Sequence, residues 1–301
     1  MTAVLLRSRW WSILLMMTVV AAWLTIAPPV WSQVATATTQ MVVVDGRAMR
    51  VRTQGLDRRG PGKPVIVFEA GAGSGLDAWD SVFTSAAALA PVIAYDRRGL
   101  GKSEADGQPQ TLKHVASSLN GLLRAVAVPP PYVLVGQSYG GVIIRAYAQA
   151  YPTDVAGMVY LDVPDIEVTF QEMSDLPSGA REVVFNVPGI PADAPPGLRA
   201  EMENIAQNIR TEFAEARAAR PPAHIPAAVV IGAGKTWPGA TPEIVAALLR
   251  LQIKHQQEWA LQSPQGLVIT SKHLRHMVHL NDPALTVRVI QHVLAAAAAS
   301  K

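Results

Sequence analysis

The chain has 301 residues, 50% of them apolar and 16% charged, which excludes a disordered chain and suits one large domain or two small ones. Its 26 Lys and Arg against 23 Asp and Glu give +3, and without Arg7 and Arg9 the excess falls to one; with no basic run or basic-aromatic stripe, nothing argues for nucleic acid. Cysteine is absent, which excludes disulfides, thiolate metal sites and a cysteine nucleophile while leaving the compartment open.

Arg7 and Arg9 precede an apolar stretch from Trp10 to Ala27, and no charge appears between Arg9 and Asp45. Pro28 and Pro29 close the stretch, and Val30-Trp31-Ser32 and Ala35-Thr36-Ala37 follow. A basic start, an apolar middle and small residues describe a secretory signal. The stretch also reaches the lower bound for a spanning helix, so a retained anchor is the alternative. A buried helix of the fold would need a polar face, which is lacking. Residues 1–40 are therefore expected to be leader and spacer. The body, residues 41–301, is expected outside the cytoplasm, either exported or held at the membrane by its N-terminus.

Val42–Val44 and Ala48–Val51, split by Asp45-Gly46, read as a hairpin. Six continuous β-rich runs follow: Val65–Phe68, Val92–Tyr95, Tyr132–Val135, Met158–Leu161, Ala228–Ile231 and Leu267–Ile269. Runs without polar alternation suit strands of a parallel sheet covered on both faces. Helical segments are expected at 76–89, 111–127, 140–151, 242–262 and 283–298. The class is α/β, with a doubly wound, mostly parallel sheet. Between Val163 and Pro226 no strand-like run occurs. There Leu198, Met202, Ile205, Ile209, Phe213 and Ala216 recur at helical spacing, with Glu201, Asn204, Asn208, Glu212 and Glu215 on the other side. An insertion over about 163–225 would lie across the carboxyl ends of the strands, as a lid or cap, or as a merely structural helix pair.

Tyr132–Val135 runs directly into Gly136-Gln137-Ser138-Tyr139-Gly140-Gly141 and then a helical pattern. G-x-S-x-G between strand and helix presents a serine on a sharp, strained turn, and small flanking residues let strand and helix approach. The helix N-terminus favours developing negative charge. The same segment could instead be a glycine-rich turn without a nucleophile.

With this motif the chain resembles the α/β-hydrolase family over residues 41–298. Glu69-Ala70-Gly71-Ala72-Gly73-Ser74 stands where the family often has His-Gly and an oxyanion residue. Asp96 to Ser103 is similar to the family's D-x-R-G-x-G-x-S loop, where Asp96 and Arg98 would hold a turn. Arg275-His276-Met277-Val278-His279-Leu280-Asn281-Asp282-Pro283 resembles its catalytic-histidine loop. A serine needs a base, and His276, after the last strand and before the last helix, is expected to serve, with His273 and His279 as competitors. The acid should lie between 138 and 276. The family usually carries it after the strand at Ala228–Ile231, but Gly232-Ala233-Gly234-Lys235 follows here, with no carboxylate before Glu243. Asp162, one strand earlier, is therefore expected to orient the base, with Asp165 and Glu167 as alternatives; a helix cap or turn role for Asp162 stays open. The N–H groups of Tyr139 and Ala72 are the expected oxyanion donors. Gln137, where many relatives have His, is expected to be a neighbour and not a triad member.

Other signals fall short. The dinucleotide pattern starting at Gly71 meets Leu76 where glycine is needed. Gly101-Lys102-Ser103 and Gly234-Lys235-Thr236 would be P-loops with glycine at 96 and 229, which are Asp and Val. His273, His276 and His279 lack a helical ligand pattern, and no metal or cofactor is expected. Trp237-Pro238-Gly239 reads as a surface turn near the pocket mouth. The expectation is a serine hydrolase acting on a small acyl substrate, an ester foremost, with amidase, perhydrolase and C–C hydrolase chemistry open. A non-catalytic ligand-binding or partner-binding protein, a lyase and a cofactor-free oxygenase are the other classes this fold allows.

Overall fold

The computed structural model describes residues 36–186, 189–263 and 265–299. The expected leader from Arg7 to Pro29 lies outside those residues. Among the described residues, no helix is long and apolar enough to cross a membrane.

The hairpin is formed by β1 (Thr38–Val44) and β2 (Arg47–Gln54). Its ladder begins with Thr38 opposite Thr53, so the folded body starts three residues before the expected boundary at Met41. Thr38 to Gln40 still find backbone partners in β2. Next come β3 (Val65–Glu69), α1 (Phe83–Ala87), β4 (Val92–Tyr95), α2 (Leu112–Ala125), β5 (Tyr132–Gln137), α3 (Tyr139–Ala150) and β6 (Val155–Leu161). The expected helix over 76–89 is replaced by a 3-10 turn at Leu76–Trp79 and the short α1. Arg50 and Arg52 of β2 pair with Asp77 and Asp80 and tie that turn to the sheet, while Leu76, Trp79 and Val82 are buried beneath it.

Among the described residues the regular elements of the insertion are all helices: α4 (Phe170–Ser174), α5 (Ala180–Phe185), α6 (Pro196–Arg210) and α7 (Ala214–Ala218). The apolar periodicity expected to run through Phe213 breaks after Arg210, where Glu212 and Phe213 take φ of +51° and +57°. The polar side of α6 is not an outer surface: Glu201 and Asn208 are buried. The chain then completes β7 (Ala227–Gly232), α8 (Pro242–Leu261), β8 (Leu267–Ser271), α9 (Val278–Asn281) and α10 (Pro283–Ala299).

The eight strands form one sheet in the order β1-β2-β4-β3-β5-β6-β7-β8. β1 and β2 are antiparallel, and β3 to β8 are parallel. Every residue of β3, β4, β5 and β7 is buried, as continuous apolar runs require when helices cover both faces. Alternation along β3 divides the core. Val65 and Val67 pack with α2, α3 and α8, while Ile66 and Phe68 pack with α1 and α10. Because β5, β6, β7 and β8 are consecutive neighbours and parallel, their carboxyl ends open on one edge, where such sheets place ligands.

Candidate active site

Ser138 sits between β5 and α3 with φ 52° and ψ −126°, a conformation that L-residues adopt only when their surroundings force it. The surroundings are backbone on every side. A Cβ at Gly136 would stand 2.6 Å from the Gly140 carbonyl, and one at Gly140 would run into the carbonyl of Glu69. The Ser138 amide donates to the Leu161 carbonyl at 3.0 Å and so locks the turn to β6. The side chain is half-buried.

Asp162 follows β6 directly and takes φ 46°. Its amide donates to the Val230 carbonyl of β7 at 2.8 Å. Its carboxylate is buried and fully engaged. Oδ2 lies 2.8 Å from His276 Nδ1, and Oδ1 accepts from the Gly232 amide at 3.0 Å and from Lys235 Nζ at 2.5 Å. His276, after β8, has half its side chain exposed, against 1% for Asp162. With an acceptor carboxylate at Nδ1, the ring proton sits there, and Nε2 is left as the basic nitrogen.

The competing residues are elsewhere. His273 is exposed in the turn after β8. His279 is buried, with its ring 4.8 Å from Trp79. Asp165 is taken by His255 Nδ1 at 2.9 Å, and Glu167 by Trp259 Nε1 at 3.2 Å and Arg145 at 3.4 Å. Among the described residues, no cluster of three His, Asp or Glu side chains could hold a metal ion.

An α/β-hydrolase fold family model matches residues 63–195. An uncharacterized protein, YqjL, of Bacillus subtilis is 35% identical over 119 residues, 40% of this chain and 46% of that protein. An AB hydrolase superfamily protein of Gibberella zeae is 33% identical over 124 residues, 40% of this chain and 38% of that one. The chain thus spans less than half the length of these relatives. The crystal structure of haloalkane dehalogenase DbeA from Bradyrhizobium elkani superposes with a TM-score of 0.61 over 88% of this chain and 100% of that one, at 15% identity. The chain has the α/β-hydrolase fold. Further contacts around the site add to what local patterning led us to expect.

Gln137 lies beside the elbow as a neighbour of His276. Its Nε2 donates to the His276 carbonyl at 3.2 Å and lies 3.4 Å from His276 Nε2. Lys235, for which the sequence suggests no role, is the cation held against Asp162. Burial lowers its pKa, against the raising pull of Asp162, and its Nζ also donates to Gln252 at 2.7 Å. The sequence signal was the absence of any carboxylate after β7 and the presence of one lysine there. Asp96 does hold a turn, accepting from the amides of Leu76 at 2.7 Å and Lys102 at 2.9 Å. Arg98 donates to the Val44 carbonyl at 2.6 Å. Arg97 between them was not singled out, yet it is buried and donates to Glu69 at 2.7 Å. Burial raises the pKa of Glu69, against the lowering pull of Arg97 and of the Tyr95 hydroxyl that donates to it.

The oxyanion candidates flank the elbow. Tyr139 opens α3, and the first N–H of a helix has no acceptor within it. Ala72 lies in the loop after β3. A Cβ placed on the preceding Gly71 would stand 3.4 Å from Ser138 Cβ, which brings that loop against the serine. Beside Asp162 and His276 opens a cavity of about 270 Å³, lined by Met173, Val184, Phe213, Trp237 and Leu248 among others. A larger cleft of about 600 Å³ between α6 and the 105–111 loop touches none of Ser138, Asp162 and His276.

His279 carries a testable pH dependence. Burial pushes its imidazole down to about 4, with His276 adding to the effect and the Ala78 backbone opposing it. A depressed folded-state value means that the stabilisation is full above the unfolded value near 6.5 and is lost as pH falls through 4. Between pH 7.5 and pH 4 this group should remove about 3 kcal/mol of stability. Chemical denaturation of His279→Phe should show a correspondingly shallower loss over that range. An unchanged slope would assign the acid sensitivity to other groups.

Proposed function

We propose that the protein is a serine hydrolase that cleaves a carboxylic ester through Ser138, His276 and Asp162. The observation that carries this reading is the 2.8 Å contact between a buried Asp162 and His276 Nδ1, at the sheet edge where the strained Ser138 turn also opens. Ser138 Oγ attacks the acyl carbonyl while His276 Nε2 takes its proton. Asp162 holds the Nδ1 tautomer and stabilises the imidazolium. The N–H groups of Tyr139 and Ala72 donate hydrogen bonds to the oxyanion that forms on the carbonyl. The leaving alkoxide takes the proton back from His276 and departs as the alcohol. Water, deprotonated by His276, then attacks the acyl-enzyme, and collapse of the second tetrahedral species frees the acid and Ser138.

The apolar cavity supports an acyl chain as the substrate part bound beside the triad. No residue here needs a metal or cofactor for these steps. The basic and apolar leader supports a location outside the cytoplasm, by export or by an N-terminal anchor.

The test is intact-mass analysis after exposure to a fluorophosphonate, followed by peptide mapping. One phosphonyl adduct on Ser138 is expected. A folded protein that takes no adduct, or takes it elsewhere, would overturn the reading and favour a non-catalytic binding protein.

A further inference from the structure

The polar side of α6 is buried, and its partners are the two segments that carry the oxyanion candidates. Glu201 Oε1 accepts from the Gly73 amide at 2.6 Å and from Arg97 at 3.0 Å, and its Oε2 accepts from Arg97 Nε at 2.7 Å. Arg97 in turn donates to the carbonyls of Ala70 at 2.7 Å and Gly71 at 2.8 Å. The carbonyls of the two residues before Ala72 and the amide of the residue after it are thus fixed. One turn along the same helix, Asn204 Oδ1 accepts from the Tyr139 hydroxyl at 2.8 Å. Residues three apart on a helix share a face. The Asn204 amide is itself held by Glu215 at 3.1 Å, and Glu215 also accepts from the Leu112 amide at 2.8 Å.

We propose that α6 of the cap positions both halves of the oxyanion hole, with Glu201 acting through Arg97 on the Ala72 loop and Asn204 acting on Tyr139. This inference rests on the serine-hydrolase reading of the site. Glu201 and Asn204 are positioning residues that touch no reacting atom. The cap is then part of the catalytic apparatus and more than a cover, because unseating α6 releases both donors together. A buried arginine between two carboxylates has a stabilising role in any case. The distinguishing feature is that its carbonyl and amide contacts fall on either side of one peptide N–H.

Two variants separate the roles. Glu201→Gln keeps the shape but sets an amide against Arg97. Tyr139→Phe keeps the backbone N–H and loses only the hydroxyl contact to Asn204. Hydrogen–deuterium exchange over residues 70–75 should accelerate in Glu201→Gln relative to the wild type, whatever the chemistry of the site. With acetyl and octanoyl p-nitrophenyl esters, both variants should lose roughly 10- to 100-fold in kcat while KM stays within about twofold. Unchanged exchange over 70–75 would overturn the clamp. So would unaltered kcat with KM raised only for the octanoyl ester, which would make α6 a substrate lid. If Glu201→Gln does not fold, Tyr139→Phe alone decides by its kcat. If the wild type cleaves neither ester, the serine-hydrolase reading fails, while the exchange result still judges the contact between α6 and the loop.

Discussion

Replacing Ser138 by alanine should reduce kcat for an ester substrate on the order of 10⁵- to 10⁶-fold, the loss seen when the nucleophile of such a triad is removed. The expectation follows from the division of labour at the site. Asp162 and His276 can prepare a base, but no other serine or threonine stands on the β5–α3 turn, and the Tyr139 hydroxyl is taken by Asn204. The variant should fold, because alanine meets the same φ of 52° that serine does. Glycine offers a sharper contrast. Holding a non-glycine residue in this region costs on the order of 1–3 kcal/mol, and the extra chain entropy of glycine returns about 1 of it. Ser138→Gly should therefore be at least as stable as the wild type in denaturant melts while being equally inactive. If both variants kept full activity, the nucleophile would lie elsewhere. If Ser138→Gly were clearly less stable than Ser138→Ala, the turn would not be storing strain.

Asp162→Asn should lower kcat on the order of 10⁴-fold, because an amide nitrogen facing His276 Nδ1 would impose the wrong tautomer. It should also lower stability, for a reason specific to this chain. Lys235 is 9% exposed and has Asp162 as its counter-ion. Leaving a buried ammonium without its partner costs about 3–5 kcal/mol. The double variant Asp162→Asn with Lys235→Met should recover most of that stability and none of the activity. The pair of measurements separates the two duties of Asp162, orienting a base and neutralising a lysine. Recovery of both properties, or of neither, would refute the assignment.

Much of the fold follows from local pattern. Strands β3 to β7 are largely apolar runs of four to seven residues because burial on both faces removes the need for alternation. The nucleophile turn is readable because steric crowding at Gly136 and Gly140 admits no side chain. The proposed acid after β6 came from the resemblance, which offers two strands for it, and from the absence of a carboxylate between β7 and Glu243. Local pattern failed where charge is buried through long-range pairing. Glu201 and Arg97 are 104 positions apart, and Asp162 and Lys235 are 73 apart. A helix face bearing Glu201, Asn204 and Asn208 looks solvated by periodicity alone. Only the approach of α6 to the Arg97 loop turns it into an interior surface. The break of the cap helix at Glu212 and Phe213 was hidden for a related reason. The spacing of apolar residues continues through the break, after which Phe213 packs against Phe185.

In the proposed triad, an acid at the end of β6 also redistributes freedom around the pocket. The cap begins at Val163, the residue after Asp162, so the direction in which the chain leaves the sheet is shared by the cap and the acid. Lengthening or reorienting the insertion at that root would disturb the φ of 46° that aims the carboxylate. The segment after β7 carries Lys235 near its start and Trp237 on the cavity wall, and beyond these it owes the triad nothing. Variation among descendants of this chain, or in a designed library, should therefore be tolerated at Pro238–Ala240 and resisted at Val163–Pro164. Substrate range would then evolve mainly from the rim, while the root of the cap stays fixed.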